Sequence, residues 1–169
     1  GMKERAQAQE DRRGWHGQRD GLIAPLNIPL VLAGNFGELR ENHFHTGLDF
    51  KTEGREGLPV IAAQDGVIAR VKVSPFGYGR ALYLSGPTGI TTVYAHLQRF
   101  APNVEQWTRE RQYEREKFAV DEAPERPFAF QQGDTLGWSG NSGGSSGPHL
   151  HFEVRETATQ RPVNPLFWG

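Results

Sequence analysis

The sequence contains no cysteine, carries almost no net charge and has no long apolar run. Without cysteine, neither a disulfide framework nor a thiolate metal site can form. The formal net charge is -1 and no basic run stands out, so there is no electrostatic case for binding nucleic acid. No apolar stretch approaches membrane-spanning length, and no signal peptide is evident. These absences favour a neutral ligand or polymer.

The length of 169 residues fits one domain with a sizeable core. Residues 1–20 are charged and rich in glutamine, without a periodic apolar pattern, and are predicted to form a flexible tail. Gly1 before Met2 indicates a cloning scar, which leaves room for a targeting segment that was removed. Residues 21–169 are expected to form a single domain. Within it, the apolar stretch 22–32 should follow a sheet edge, because two prolines interrupt it.

The middle of the chain consists of short runs of β-branched and aromatic residues separated by Gly-rich turns. We predict strands at 59–63, 66–74, 80–85, 90–97 and 131–138. Such short, evenly spaced strands favour antiparallel hairpins and an all-β sandwich or open barrel.

One helix is predicted, over residues 103–117. Asn103 can cap it, and Gln106 lies three residues later at the capping-box position. Its apolar stripe consists of three residues only, Val104, Trp107 and Tyr113. We therefore expect an exposed insertion that lies on the sheet, followed by a loop at residues 120–130, where two prolines and acidic residues occur.

The segment Gly-Pro-His-Leu-His-Phe-Glu near the C-terminus reads as a strand. Because successive strand residues point to opposite faces, His149 and His151 should share one face while Leu150 and Phe152 enter the core. The preceding residues 139–147 are all small, so the approach to the two imidazoles is open.

A histidine and a carboxylate also share a strand face earlier in the chain, at His45 and Asp49. Gly47 lies between them without a side chain, and a metal ion could be reached from both sides at roughly 2.0–2.2 Å. Two histidines and one carboxylate, with a fourth position left for water, are the ligands of a catalytic zinc site. His43 has an equivalent position, and spacing alone does not choose between His43 and His45.

His96 ends the strand predicted at 90–97. Alternation predicts that Tyr94 and His96 share a face, with Ala95 and Leu97 on the other. An isolated histidine is more often structural than catalytic, so the case for His96 depends on the residues around it.

Three motifs occur in a fixed order along the chain: His45-x-x-x-Asp49, Tyr94-Ala95-His96-Leu97 and His149-x-His151. In this order they resemble the lysostaphin/LytM-type zinc metallopeptidases, over about residues 34–165. The resemblance implies a compact antiparallel β-sheet domain of the duplicated hybrid or barrel-sandwich type, with a groove across the sheet. The long stretch at about 98–130 departs from the family pattern, which indicates a substrate-restricting wall or a partner surface.

The resemblance also implies the site residues. It assigns one zinc ion to three protein ligands: His45, Asp49 and His151. His45 is thereby favoured over His43, and His149 and His96 become the catalytic pair. Zinc would polarise the scissile carbonyl and lower the pKa of its water toward about 7. His149 would take the water's proton, and His96 would stabilise the oxyanion or protonate the leaving amine, although spacing does not fix which histidine has which role.

The family's substrate class is the cross-link peptide of bacterial peptidoglycan. The resemblance therefore implies an endopeptidase of the periplasm or extracellular cell envelope that does not bind nucleic acid. A monomer is expected, and a membrane tether of the full-length protein stays open.

Two other interpretations remain. The first is a non-catalytic or autoinhibited relative that binds the cell wall or activates another hydrolase. All five site positions are filled, which counts against it, but Asn27 or Asn35 could occupy the fourth zinc position. The second is a zinc amidase or deacetylase with similar ligands, which the order of the motifs disfavours.

Overall fold

The computed structural model describes residues 21–34, 39–40, 43–44 and 47–164, with the backbone alone for 34, 39–40 and 43–44. The tail predicted at residues 1–20 and the predicted ligand His45 lie outside this part of the chain. No helix in the described part is long and apolar enough to cross a membrane.

The described residues form short strands and one helix. In chain order they are β1 (Leu32–Gly34), β2 (Leu39–Arg40), β3 (His43–Phe44), β4 (Leu48–Lys51), β5 (Pro59–Ile61), β6 (Gly66–Val73), β7 (Arg80–Ser85), β8 (Ile90–Phe100), α1 (Pro102–Arg115), β9 (Val120–Glu122), β10 (Ala129–Phe130), β11 (Thr135–Ser139), β12 (His149–Glu156) and β13 (Pro162–Val163).

The main sheet follows the order β1-β4-β12-β8-β7-β6-β10, and its pairs are antiparallel. Off this path, β11 pairs with β5 and β8, β9 with β6, and β13 with β12, while β2 and β3 form a separate pair. The antiparallel all-β architecture predicted from the turn-separated runs is confirmed. β8 continues to Phe100 instead of ending at residue 97.

Apolar side chains cover both faces of the central strands. Leu150 and Phe152 of β12 join Tyr94 of β8 in the larger cluster, where the Phe152 and Tyr94 rings lie 5.5 Å apart. Burying each such side chain contributes about 1.5–3 kcal/mol. A smaller cluster uses the alternate residues of β7 and β8: Ala81, Tyr83, Val93 and Ala95. The faces of β12 therefore differ, because its apolar residues enter the larger cluster and its histidines do not.

Helix α1 begins at Pro102, and no side chain caps it. The predicted cap at Asn103 is wrong, because Pro102 takes the first helical position and the helix starts one residue before Asn103. Proline suits this position since it has no N–H that needs a partner. Val104 and Trp107 are buried as expected, but Tyr113 is 85% exposed. At 100° per residue, Tyr113 lies about 240° around the axis from Trp107 and so leaves the apolar stripe.

The loop predicted at residues 120–130 contains two short strands instead. β9 and β10 both pair with β6, which would otherwise leave an edge of unpaired backbone groups. Asp121 forms an ion pair with Arg70 of β6, and the Phe128 ring packs edge-on against Trp107 of α1. The stretch that departs from the family pattern therefore closes one edge of the sheet.

Candidate metal centre and catalytic histidines

The register between β4 and β12 places a carboxylate opposite an imidazole. Asp49 pairs with His151 across the two strands, and Asp49 Oδ1 lies 2.8 Å from His151 Nδ1. Nε2 of His149, two residues earlier on the same face, lies 3.6 Å from the same oxygen. This register thus brings together three of the five predicted site residues.

Gly47 allows the chain entering β4 to approach β12 closely. A Cβ atom at this position would lie 2.4 Å from the Phe152 carbonyl oxygen, 2.6 Å from Glu153 Cγ and 3.2 Å from His151 Cε1. No side chain fits there, because the nearest atom belongs to the backbone. Gly47 is thus required for the spacing that brings Asp49 to His151.

The third predicted ligand, His45, lies outside the described residues, as does the side chain of His43. Within the described ranges, no group of three or more His, Cys, Asp or Glu residues is arranged to hold a metal ion. The described residues therefore supply at most two of the predicted ligands, Asp49 and His151.

The surroundings of His151 favour a positive charge. Its Nε2 lies 3.3 Å from Glu153 Oε2, and the Glu153 side chain is fully buried. Burial lowers the pKa of His151, but the contacts with Asp49 and Glu153 outweigh burial and raise this pKa to about 9. Burial raises the pKa of Glu153, yet its contacts with His151 and Arg155 outweigh burial and lower it.

These residues fit a zinc ion. An imidazole nitrogen and a carboxylate oxygen converge, as zinc ligands do, and a second carboxylate faces the opposite nitrogen of the same ring. Such a carboxylate fixes the ring and makes the ligating nitrogen more basic.

His96 reaches this face through a bulge in β8. The β8 residues Tyr94 and Leu97 oppose β7 residues that are only two apart, so β8 contains one extra residue there, and His96 has φ 60°. Tyr94 and Leu97 both enter the larger core cluster. The expectation that Tyr94 and His96 share a face is therefore wrong, because the bulge interrupts the alternation. The His96 ring lies 4.7 Å from that of His149.

The hydrogen bonds of the two histidines define which nitrogen faces the site. His96 Nδ1 donates to the Ser142 carbonyl at 2.8 Å, and His149 Nδ1 donates to the Gly147 carbonyl at 2.8 Å. A carbonyl only accepts, so Nδ1 carries the hydrogen in both rings and Nε2 remains for chemistry. Burial, opposed by the Ser142 contact and assisted by the neighbouring imidazoles, lowers the pKa of His96 to about 4.

The sequence interpretation missed two supporting residues. Glu153 lies two residues after His151, so the alternation that pairs the histidines also indicated Glu153. Ser142 had no such signal, because its contacts join a loop to β7 and β8: its hydroxyl accepts from Arg80 N and donates to the Leu97 carbonyl. Asn27 is exposed, and Asn35 lies outside the described residues.

Comparison with known proteins identifies relatives of this fold and site. A sequence profile of Peptidase family M23 matches residues 43–113. DD-carboxypeptidase/endopeptidase Mpg of Neisseria meningitidis is 33% identical over 122 residues, 72% of this chain. Peptidoglycan DD-endopeptidase ShyC of Vibrio cholerae is 31% identical over 149 residues, 85% of this chain. The catalytic domain of the antimicrobial peptidase lysostaphin from Staphylococcus simulans shares the fold, with a TM-score of 0.61 at 22% identity, over 81% of this chain and 90% of that domain.

The matched regions are parts of longer proteins. This chain covers 22% of the length of Mpg and 28% of the length of ShyC. The resemblance inferred from the three motifs is confirmed by the profile, the relatives and the shared fold. The chain belongs to Peptidase family M23, the family of the lysostaphin-type peptidases.

Proposed function

We propose that this chain is a zinc-dependent endopeptidase domain that hydrolyses peptide cross-links in bacterial peptidoglycan. The observation that carries the proposal is the cluster of Asp49, His151, His149 and His96 on one face of the sheet, with two imidazoles presenting Nε2. The relative named as a peptidoglycan DD-endopeptidase supports the substrate class. Such a substrate places the protein in the periplasm or extracellular envelope.

In this proposal His45, Asp49 and His151 hold one zinc ion. When bound, zinc would polarise the scissile carbonyl and acidify the attacking water. Glu153 holds the His151 ring by its Nε2, so that Nδ1 faces Asp49. Residues 21–169 would form the single domain that carries this centre.

His149 and His96 move the protons. His149 Nε2 is near the ligand carboxylate, at 3.6 Å from Asp49 Oδ1, and we assign it the role of accepting the proton of the attacking water. In the neutral His96 ring the hydrogen is on Nδ1, so His96 Nε2 has to take up a proton before it can stabilise the developing oxyanion or protonate the leaving amine. The proton that His149 accepts from the water is its source, because the two rings lie 4.7 Å apart. Ser142 and Gly147 hold the two rings by Nδ1 throughout.

The test is mass spectrometry of purified peptidoglycan incubated with the protein, with and without a chelator. Newly freed amino groups that vanish with chelator and return with added zinc are expected, and their masses identify the bond cut. Absence of products from a protein shown to contain zinc would refute the endopeptidase assignment. It would favour a binding role or an occluded site.

A further inference from the structure

A cavity of about 550 Å³ opens between the end of β8 and helix α1. Its lining consists of six polar side chains: Arg80, Gln98, Arg99, Glu105, Arg109 and Gln112. Three guanidinium groups face one carboxylate, which leaves a net charge of +2. A lining of this kind suits an anionic ligand with several oxygen acceptors.

Arg80 and Glu105 neutralise each other in the lining of this cavity. Their side chains form an ion pair and are 17% and 14% exposed. The Arg80 guanidinium also lies 4.5 Å from the centre of the Phe100 ring. Burial lowers the pKa of Arg80, and the attraction of Glu105 opposes that effect. This pair is thus a fixed part of the fold, and the two other arginines supply the unbalanced charge.

Arg99 and Arg109 have no carboxylate partner among the described residues. The contrast with other arginines near α1 is clear, since Arg111, Arg115 and Arg126 each pair with a glutamate. The Arg99 guanidinium lies 4.0 Å from the centre of the Trp138 ring, a contact that fixes its plane without using its N–H donors. The guanidinium groups of Arg99 and Arg109 are planar and can each donate two parallel hydrogen bonds, which matches the two oxygens of a carboxylate.

The cavity and His96 share strand β8, because Gln98 and Arg99 of the lining follow His96 on it. Arg99 is three residues after His96 on β8, which corresponds to at most about 10 Å at the strand rise of about 3.3 Å per residue, because the register of β8 shifts on both sides of Leu97. Ser142 connects the two regions, because it holds the His96 ring and bonds the Arg80 backbone. A peptide lying extended along β8, with its scissile bond at the histidines, would place a group two to three residues away in this cavity.

We propose that the Arg99–Arg109 cavity is a subsite that binds a carboxylate of the substrate peptide two to three residues from the scissile bond. The proposal rests on the proposed peptidase function. The carboxylate can be a chain terminus or a side-chain carboxylate, and both present the same two oxygens.

The test compares Arg99→Gln and Arg109→Gln with the parent and with Arg161→Gln, an exposed arginine without an ion-pair partner among the described residues. Substrates are cross-linked stem peptides released from peptidoglycan, and the same peptides after amidation of all carboxylates. For each cavity variant, we expect kcat/KM on the native peptide to fall about tenfold, mostly through KM. On the amidated peptide, the parent and both variants should be equally slow. Arg161→Gln should match the parent on both substrates.

A binding measurement separates failure of this inference from failure of the proposed function. Fluorescence anisotropy of labelled native peptide is recorded with chelated, inactive protein. Weaker binding by both cavity variants, without any hydrolysis by the zinc-loaded parent, would support the subsite and refute the peptidase. Hydrolysis and binding that are both unaffected by the substitutions would refute the subsite alone. Peptides amidated only at the terminus or only at side chains then identify which carboxylate is bound.

Discussion

Asp49 and His151 are the two predicted zinc ligands whose side chains the structure describes. His149 and His96 lie beside them and are proposed to transfer protons, not to bind zinc. We expect Asp49→Ala and His151→Ala to lose stoichiometric zinc, as should His45→Ala, because a three-ligand site does not survive removal of one ligand.

His149→Ala and His96→Ala should retain zinc and lose turnover. Zinc content by inductively coupled plasma mass spectrometry, with activity on peptidoglycan, checks both. Full zinc in all three ligand variants would contradict the ligand assignment, and near-parental turnover in either other variant would remove that histidine from catalysis.

The raised pKa of His151 predicts proton release when zinc binds. Below about pH 9 the metal-free ring is protonated, whereas a zinc ligand must be deprotonated. At pH 7 we expect about one proton to leave per zinc bound, and affinity to rise about tenfold per pH unit between pH 7 and 8. Calorimetry in buffers of different ionisation enthalpy measures the proton count. Zinc binding without proton release would show that the ring is already neutral.

The raised pKa of His151 also makes the stability of the metal-free protein depend on pH. In the folded protein the pKa of His151 is about 9, against an ordinary histidine value of 6.5. Protonation of His151 therefore stabilises the metal-free protein below pH 6.5, and that contribution is lost as the pH rises through 9. The metal-free protein should therefore lose stability between these values, and the zinc-loaded protein should not. Thermal melts across this pH range distinguish the two.

At the residue scale, strand alternation indicated which polar side chains of a regular strand share a face. The spacing of His149 and His151, and the choice of Asp49, followed from alternation and from the resemblance. Ser142 could not be indicated, because its role depends on a loop that meets two strands far away in sequence. Contacts of that kind depend on tertiary packing and leave no local pattern.

The approach of β4 to β12 depends on Gly47. We expect Gly47→Ala to destabilise the metal-free protein by about 1–3 kcal/mol, because the added methyl group meets the Phe152 carbonyl and the Glu153 side chain. Tm should fall by roughly 3–10 °C. Gly147→Ala is the matched control, since a Cβ atom there has nothing within 4 Å. Melting temperatures that are equal for both variants would mean that β4 and β12 separate at little cost.

At the element scale, the strand runs between Gly-rich turns predicted most of the sheet, because burial and turn chemistry act locally. The bulge at His96 was not predicted, since a strict period of two placed this histidine with Tyr94. β9 and β10 were missed for a related reason. Two or three residues carry too little periodicity to indicate a strand, and the open edge of β6 determines their pairing.

At the scale of the whole molecule, α1 and the segment after it complete the sheet, so the stretch that departs from the family pattern should contribute to global stability. Trp107 should contribute most to this stability. It is 2% exposed, its ring packs against Phe128, and its Nε1 donates to Glu125. We expect Trp107→Ala to reduce the free energy of unfolding by about 3–5 kcal/mol. Tyr113→Ala, on the same helix but 85% exposed, should change it by about 0.5 kcal/mol or less.

Urea unfolding of the two variants measures these values, and hydrogen exchange locates the effect. If the segment and β6 form one cooperative unit, Trp107→Ala lowers the protection of β6 amides together with those of β9 and β10. If the segment is instead an appendage, β9 and β10 lose protection while β6 keeps its own, and the stability of the domain hardly changes. That second result would mean that residues 98–130 are an insertion lying on the sheet, as the sequence predicted. The functional contribution of this stretch would then come mainly from the proposed carboxylate cavity between β8 and α1.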